Sequence, residues 1–260
     1  MTMAAGHTHA LYLDRPSVVH RIPPEVKIVA VVVFTVAVVV TPREAFWAFG
    51  AFSAMVAMAA AVARVPARWL LTRALIELPF VLLALALPFL GQGERVTWLG
   101  LHLSIDGLYG GWNILAKGTL GVLASLLLAA TTPVDQIILG LDRLRCPAIL
   151  TQIATFMLRY LEVLGGEAGR MRVARIARGD DPRFLWQLKG FAAGIGSLFI
   201  RAFERGERVY LAMISRGYGG RMPVHWRAEG AATAAQWSVA AVVSAVAAVI
   251  TTAAFLLPPT

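Results

Sequence analysis

The chain has 260 residues, of which 58% are apolar and only 15% charged, with a mean hydropathy of +0.69. That composition excludes an ordinary soluble domain and places the chain among membrane proteins. A formal net charge of +9 does not point to nucleic acid, because the basic residues fall between apolar spans rather than among aromatics on a polar surface.

In chain order, residues 1–24 are polar and irregular, carry Asp14, Arg15, His20 and Arg21, and end in Pro23-Pro24. They lack the basic-then-apolar pattern and small-residue cleavage site of a secretory leader. A first span is predicted at residues 26–41, nearly all Val, Ala and Ile and close to the short limit for crossing a bilayer. Thr41-Pro42-Arg43-Glu44 is a tight turn, and a second span covers 45–63. Arg64, Arg68 and Arg73 bracket Pro66 before a third span at 74–90, and a polar loop over 91–107 leads to a fourth at 108–130. A charged region, 131–234, precedes a last span at 235–257. The expected fold is therefore all-α, with five transmembrane helices and a domain of long amphipathic helices between the fourth and fifth. The corresponding divisions are 1–131, 132–234 and 235–260.

Orientation follows from where the cations lie. Of the 24 Lys and Arg residues, twenty-one fall in three segments on one side of a five-span chain: the N-terminal segment, the loop around Pro66, and the long region from Arg143 to Arg227. The opposite side holds only Arg43 and Arg95, while Lys117 lies inside the fourth span. The N-terminus and the charged region are thus expected in the cytoplasm and the C-terminus outside.

Within the charged region, residues 133–145 read as a short amphipathic helix with Val134, Ile137, Ile138, Leu141 and Leu144 on one face. A helix over 148–178 carries Ile149, Ile153, Phe156, Met157, Tyr160, Leu161 and Leu164, then turns basic with Arg170, Arg172, Arg175 and Arg178. A second, over 184–216, alternates Phe191, Ile195, Leu198, Phe199 and Ala202 with Arg201, Glu204, Arg205 and Arg208, which puts mixed charges on one exposed face. Such apolar stripes pack helix on helix or lie on a membrane surface. Asp180-Asp181-Pro182 separates the two helices, since proline disfavours helix at itself and at the residue before it. Each helix ends in Arg-Gly: Ala177-Arg178-Gly179 and Ser215-Arg216-Gly217. The arginine complements the helix dipole and the glycine suits a left-handed C-cap. Either run alone is an ordinary helix ending; two, on successive long helices in the one basic region, look like two plugs presented to a partner.

Few residues suggest chemistry. Lys117-Gly118-Thr119 has its lysine before the glycine and no phosphate-cradling loop ahead of it, so the chain should not hydrolyse ATP. Asp180-Asp181 is the only adjacent acidic pair, against the repeated pairs that magnesium-dependent prenyl transfer needs. No enzyme and no cofactor is expected. His7 and His9 have no carboxylate or cysteine beside them and read as a polar end rather than a metal site. Cys146, the single cysteine, excludes an intrachain disulfide and sits before Pro147 as a turn residue. Glu77 lies four residues after Arg73, at a spacing that suits a local ion pair, and Lys117 can snorkel from its span. These spans supply no chain of buried polar groups, as a solute pathway would require.

The segment Ser17-Val18-Val19-His20-Arg21-Ile22-Pro23-Pro24-Glu25-Val26-Lys27, the four-plus-one span pattern and the paired X-Arg-Gly runs together resemble one family over nearly the whole chain. This is the transmembrane T component of energy-coupling-factor ABC transporters, and more narrowly its CbiQ branch, associated with cobalt and nickel uptake. Pro24-Glu25 departs from the Pro-Arg common in the family. The resemblance implies an inner-membrane, multi-pass coupling subunit working with two ABC ATPase subunits. A separate CbiM-like capture subunit holds the metal, with a small CbiN-like subunit as a further candidate partner. It also implies that the two helices ending at Ala177, Arg178, Gly179 and at Ser215, Arg216, Gly217 are coupling helices docking in grooves of the ATPases. The alternative is a membrane assembly scaffold with no part in transport.

Overall fold

The computed structural model describes residues 11–91, 95–98, 101–179, 188–220 and 232–257. His7, His9, Asp180-Asp181-Pro182 and Arg227 lie outside them, as do residues 184–187 of the helix expected from 184. The described chain divides into two compact units, one drawn from Leu11–Gly140 and Gly230–Thr260, the other from Leu141–Glu229.

The first unit is a helical bundle. Helix α1 (Pro24–Val40) starts with proline in its first turn, where the missing N–H costs nothing. Helix α2 (Phe46–Val62) follows, and its left-handed terminal residue, Arg64 at φ 56°, closes the end with Val65 N donating to Ala60 O at 3.0 Å. Helix α3 (Ala67–Ala74) runs through a single 3-10 turn, Leu75–Glu77, into α4 (Leu78–Leu90), so the third apolar segment begins well before the expected residue 74. Helix α5 (Ile105–Thr131) is N-capped by Ser104, whose Oγ accepts from Gly107 N at 3.2 Å. Helix α9 (Ala234–Leu256) opens on a capping box formed by Thr233 and Gln236. The core joins α1, α2, α5 and α9, with Phe34 edge-on to Phe52 at 5.6 Å and Ala48, Ala130 and Ala247 fully buried.

The fold is all-helical as expected except at the 91–107 segment, which holds a short hairpin where a polar loop was expected. Strands β1 (Arg95–Trp98) and β2 (Leu101–Ser104) form an antiparallel hairpin pairing Arg95 with Ser104 and Trp98 with Leu101. The Val96, Trp98 and Leu101, Leu103 alternation, broken only by Leu99-Gly100, is the period of a strand and not of a loop.

Among the described residues, four helices are long and apolar enough to cross a membrane by length and composition: the α3–α4 stretch Ala67–Leu90, α5, α9 and α7 (Ala148–Ala177). Helices α1 and α2, 17 residues each, extend about 26 Å and stand at the short limit. Helix α7 joins this group because its first half carries only Arg159 and Glu162 against Ile, Leu, Phe and Met; the sequence reading placed it in the charged region.

Two lysines tie α1 to α5. Lys27, in the first turn of α1, donates from Nζ to Thr131 O at the end of α5, at 2.9 Å. Lys117, midway along α5, donates to Val39 O at the end of α1, at 2.6 Å. Each cation satisfies a carbonyl that a helix C-terminus leaves without an intrahelical partner. The two bonds also fix α1 and α5 as antiparallel. Lys117 therefore caps the end of its neighbour α1.

The seam between α4 and α5 is made by glycines. Gly107 lies against Leu87 O, Gly111 against Ala84 O, and Gly118 against the Glu77 carboxylate. Pro88 has no N–H to give the carbonyl four residues back, so Ala84 O is freed within the apolar segment. Gly111 packs against that oxygen so closely that a β-carbon would stand 2.6 Å from it. Glu77 is 4% exposed, and its Oε1 has no hydrogen-bond partner. The expected Arg73–Glu77 ion pair is absent: Arg73 stacks over the Trp69 ring at 4.1 Å instead.

The N-terminal segment forms a strap on the same unit. Leu13 N donates to Ala130 O at 3.0 Å, and Arg15 Nη1 donates to Arg64 O at 2.9 Å. His20 holds the strap's own turn, with Nε2 2.9 Å from Leu13 O and Nδ1 2.6 Å from Ser17 Oγ.

Candidate functional site

The second unit begins in the last residues of α6 (Val134–Arg143), whose end turns through Arg145 at φ 61° into Cys146 and Pro147. Helix α7 follows, then α8 (Leu188–Ser215). Their ends have the local geometry expected of the Arg-Gly runs. Gly179 and Gly217 stand at φ +80° and +84°, the left-handed region that L side chains rarely adopt. At the end of α8, Gly217 N donates to Ile214 O at 2.9 Å and Tyr218 N to Met213 O at 3.0 Å. That pair of bonds is a Schellman motif, with Arg216 at the C-cap position. At the end of α7, Gly179 N donates to Ile176 O at 3.0 Å, the counterpart of the Gly217 bond. Ala177, Arg178, Gly179, Ser215, Arg216 and Gly217 are all exposed.

Three contacts order α7 against α8. Tyr218 Oη donates to Gln152 Oε1 at 2.8 Å, Glu167 pairs with Arg201 and Arg205, and Gly194 faces Met171 and Arg175. Low numbers on α7 thus meet high numbers on α8, so the helices are antiparallel. The two arginine ends are consequently brought to opposite ends of the pair, not to one spot. From Gln152, beside the end of α8, to Arg178 is 26 residues, about 39 Å of helix.

Glu167 is the one ionisable side chain buried in this unit among the described residues. Arg201 Nη1 donates to Oε1 at 3.1 Å and Arg205 Nη1 donates to Oε2 at 3.3 Å. The Arg201 hydrogen bond is the main cause that holds the Glu167 carboxyl below the ordinary carboxylate range, burial working the other way. Arg201 and Arg205 were expected on a face shared with Glu204 and Arg208; they reach across to α7 instead. Nothing in the spacing of Glu167 announces this, because a cross-helix pair has no fixed sequence separation. Tyr218 and Gln152 were missed for the same reason.

The apolar stripes are not covered by the described residues. Ile149, Ile153, Met157 and Leu161 on α7, and Ile195 and Phe199 on α8, are each more than half exposed. No group of three or more His, Cys, Asp or Glu among the described residues is arranged to hold a metal ion.

Fold and site together define a multi-pass helical membrane protein carrying a basic helical hairpin whose two ends present arginine. The family model for CbiQ, cobalt transport protein, matches residues 15–226, and the chain belongs to that family. It is 31% identical over 163 residues to the cobalt transport protein CbiQ of Rhodobacter capsulatus, covering 62% of this chain and 65% of that one. It is 30% identical over 227 residues to the energy-coupling factor transporter transmembrane protein EcfT of Bacillus selenitireducens, covering 80% and 82%. A putative fused cobalt transport protein, CbiMQ, of Methanocorpusculum labreanum is 31% identical over 109 residues, covering 42% of this chain and 18% of that one. The chain thus spans less than two thirds of the length of the Rhodobacter and Methanocorpusculum proteins. The family is one of non-catalytic transmembrane transporter components.

Proposed function

We propose that this chain is the coupling subunit of an energy-coupling-factor importer. It receives movement from two ATPase subunits at Arg178 and Arg216 and passes it to a separate membrane subunit that captures the substrate. The observation that supports this most directly is the pair of exposed, glycine-terminated arginine ends held at opposite ends of one antiparallel helix pair. Two separate docking points suit two separate ATPases. A guanidinium suits such a point, being always charged and able to fork onto carboxylates or carbonyls.

The substrate on this reading is cobalt or nickel ion, held by the capture subunit. The fused Methanocorpusculum relative, named CbiMQ, supports a CbiM-like partner, and a small CbiN-like subunit belongs to the same proposal. The chain sits in the inner membrane with its N-terminus and the helical hairpin cytoplasmic and its C-terminus outside, the orientation that the cation distribution supports. Helices α7 and α8 are then coupling helices, and the apolar first half of α7 faces a partner or the membrane surface rather than crossing.

The test is charge reversal. Arg178→Glu and Arg216→Glu place an anion where a groove accepts a cation, and truncating one partner of a buried interfacial charge pair costs about 2–5 kcal/mol. The double reversal should release the ATPases or abolish uptake. An arginine acting only as a helix end contributes about 0.3–1 kcal/mol and would leave both intact. Arg172→Glu and Arg208→Glu, exposed on the same helices, are the controls. If they fail as badly as the motif variants, basicity in general is responsible. If ATPases never copurify with the unaltered chain, the non-transporting scaffold takes the place of this reading.

A further inference from the structure

The hairpin that carries the two arginine ends has little to hold it in register. Its large apolar side chains mostly face outward, and the contacts that join α7 to α8 are few. At its middle stands one buried carboxylate with each oxygen taken by a different arginine of α8, one helical turn apart. The placement is symmetric. Glu167 lies eleven residues before Arg178, and Arg205 lies eleven residues before Arg216, so each docking end stands about 16 Å of helix from the cluster.

We propose that Glu167, clamped by Arg201 and Arg205, is the fulcrum of this hairpin: a positioning residue that fixes α7 against α8 so that displacement at one arginine end is delivered to the other. This rests on the reading of α7 and α8 as coupling helices. The chemistry favours a fixed pivot over a sliding contact. Two guanidiniums on successive turns bind the two oxygens of one carboxylate, and a one-residue shift of α8 rotates both away by about 100°. An apolar contact would tolerate such a shift; this one does not. Arg201 and Arg205 keep 58% and 34% of their side-chain surface exposed while Glu167 keeps 11%. Loss of either arginine leaves the other in place, whereas loss of Glu167 leaves two like charges on successive turns of α8 without their shared carboxylate.

The experiment uses the full transporter complex with three altered chains: Glu167→Ala, Glu167→Gln, which keeps the volume and removes the charge, and the swap Glu167→Arg with Arg201→Glu and Arg205→Glu. ATPase copurification, ATP hydrolysis and metal uptake are measured on each. The distance between spin labels at positions 173 and 211 is measured in a Cys146→Ser background. Glu167→Ala and Glu167→Gln should retain the ATPases and their hydrolysis within about twofold, while uptake falls roughly tenfold or more. The label distance should broaden, and the swap should narrow it and restore uptake to within about threefold. A narrow label distance or near-normal uptake in both Glu167 variants overturns the fulcrum, as does a swap that restores neither. Loss of the ATPases from the Glu167 variants also overturns it, since the cluster would then only shape the docking ends. If Arg178→Glu with Arg216→Glu keeps both its ATPases and its uptake, the coupling reading itself has failed. The label distance then still reports, separately, whether Glu167 sets the register.

Discussion

Replacing Gly111 with alanine probes the α4–α5 seam at a point where the backbone of α4 stands in the way. A Cβ there would stand 2.6 Å from Ala84 O and 3.4 Å from its carbonyl carbon. A carbon-to-oxygen contact relaxes at about 3.3–3.6 Å, so the helices must part locally by about 0.7 Å or more. The obstacle is backbone, not the end of a flexible side chain. Overpacking of this kind costs about 1–3 kcal/mol. Alanine returns roughly 0.5–1 kcal/mol through helix propensity, leaving a net loss of about 1–2 kcal/mol. Gly121 is the control on the same helix, since a Cβ there meets nothing within 4 Å; Gly121→Ala should be neutral or slightly stabilising. The assay is unfolding of the detergent-solubilised chain followed by tryptophan fluorescence, Trp112 being adjacent to the substituted position. Equal midpoints for Gly111→Ala and Gly121→Ala would refute the close-packed seam.

Three further outcomes are expected. A reporter fused after Thr260 should be extracytoplasmic and one inserted at Asp181 cytoplasmic; finding both on one side removes the five-span orientation. Gly217→Ala forces a β-carbon onto a φ of +84°, which strains the α8 cap by roughly 1 kcal/mol or more and should weaken ATPase copurification. Gly206→Ala, in open space within α8, should not. The last outcome is pH dependence of the hairpin. The Glu167 carboxyl is held below its ordinary 4.5, so the unfolded chain takes up the proton first. Its contribution to the α7–α8 pairing is therefore fully present above about pH 4.5 and is lost as pH falls through the lower folded value. Spin-label distances across α7 and α8 should be unchanged from neutral pH to near that point and broaden below it. Broadening already between pH 7 and 5 would contradict this.

What the sequence determined by itself was what depends on neighbours along the chain. Apolar runs marked the helices of the bundle, and Arg-Gly marked both helix ends, because a left-handed cap is a local demand that glycine meets. The Thr233 and Ser104 caps are local in the same way. The hairpin at Arg95–Ser104 was legible too, in a period of two that the polarity of the segment masked. The rest needed the tertiary structure, since it depends on which helix stands beside which. Lys117 showed no partner along the chain, and its partner Val39 O, 2.6 Å away, stands on another helix. Glu77 was matched to Arg73 by i,i+4 spacing, yet the 3-10 turn that contains it changes the geometry on which that spacing depends, and its carboxylate lies against Gly118 on another helix. Arg201 and Arg205 suited an exposed face of α8 by their period, and only the pairing of α8 with α7 turned them onto Glu167. Periodicity gives the face on which a residue stands; a buried charge takes its partner from the helix that covers that face, and no spacing along one chain fixes which helix that is.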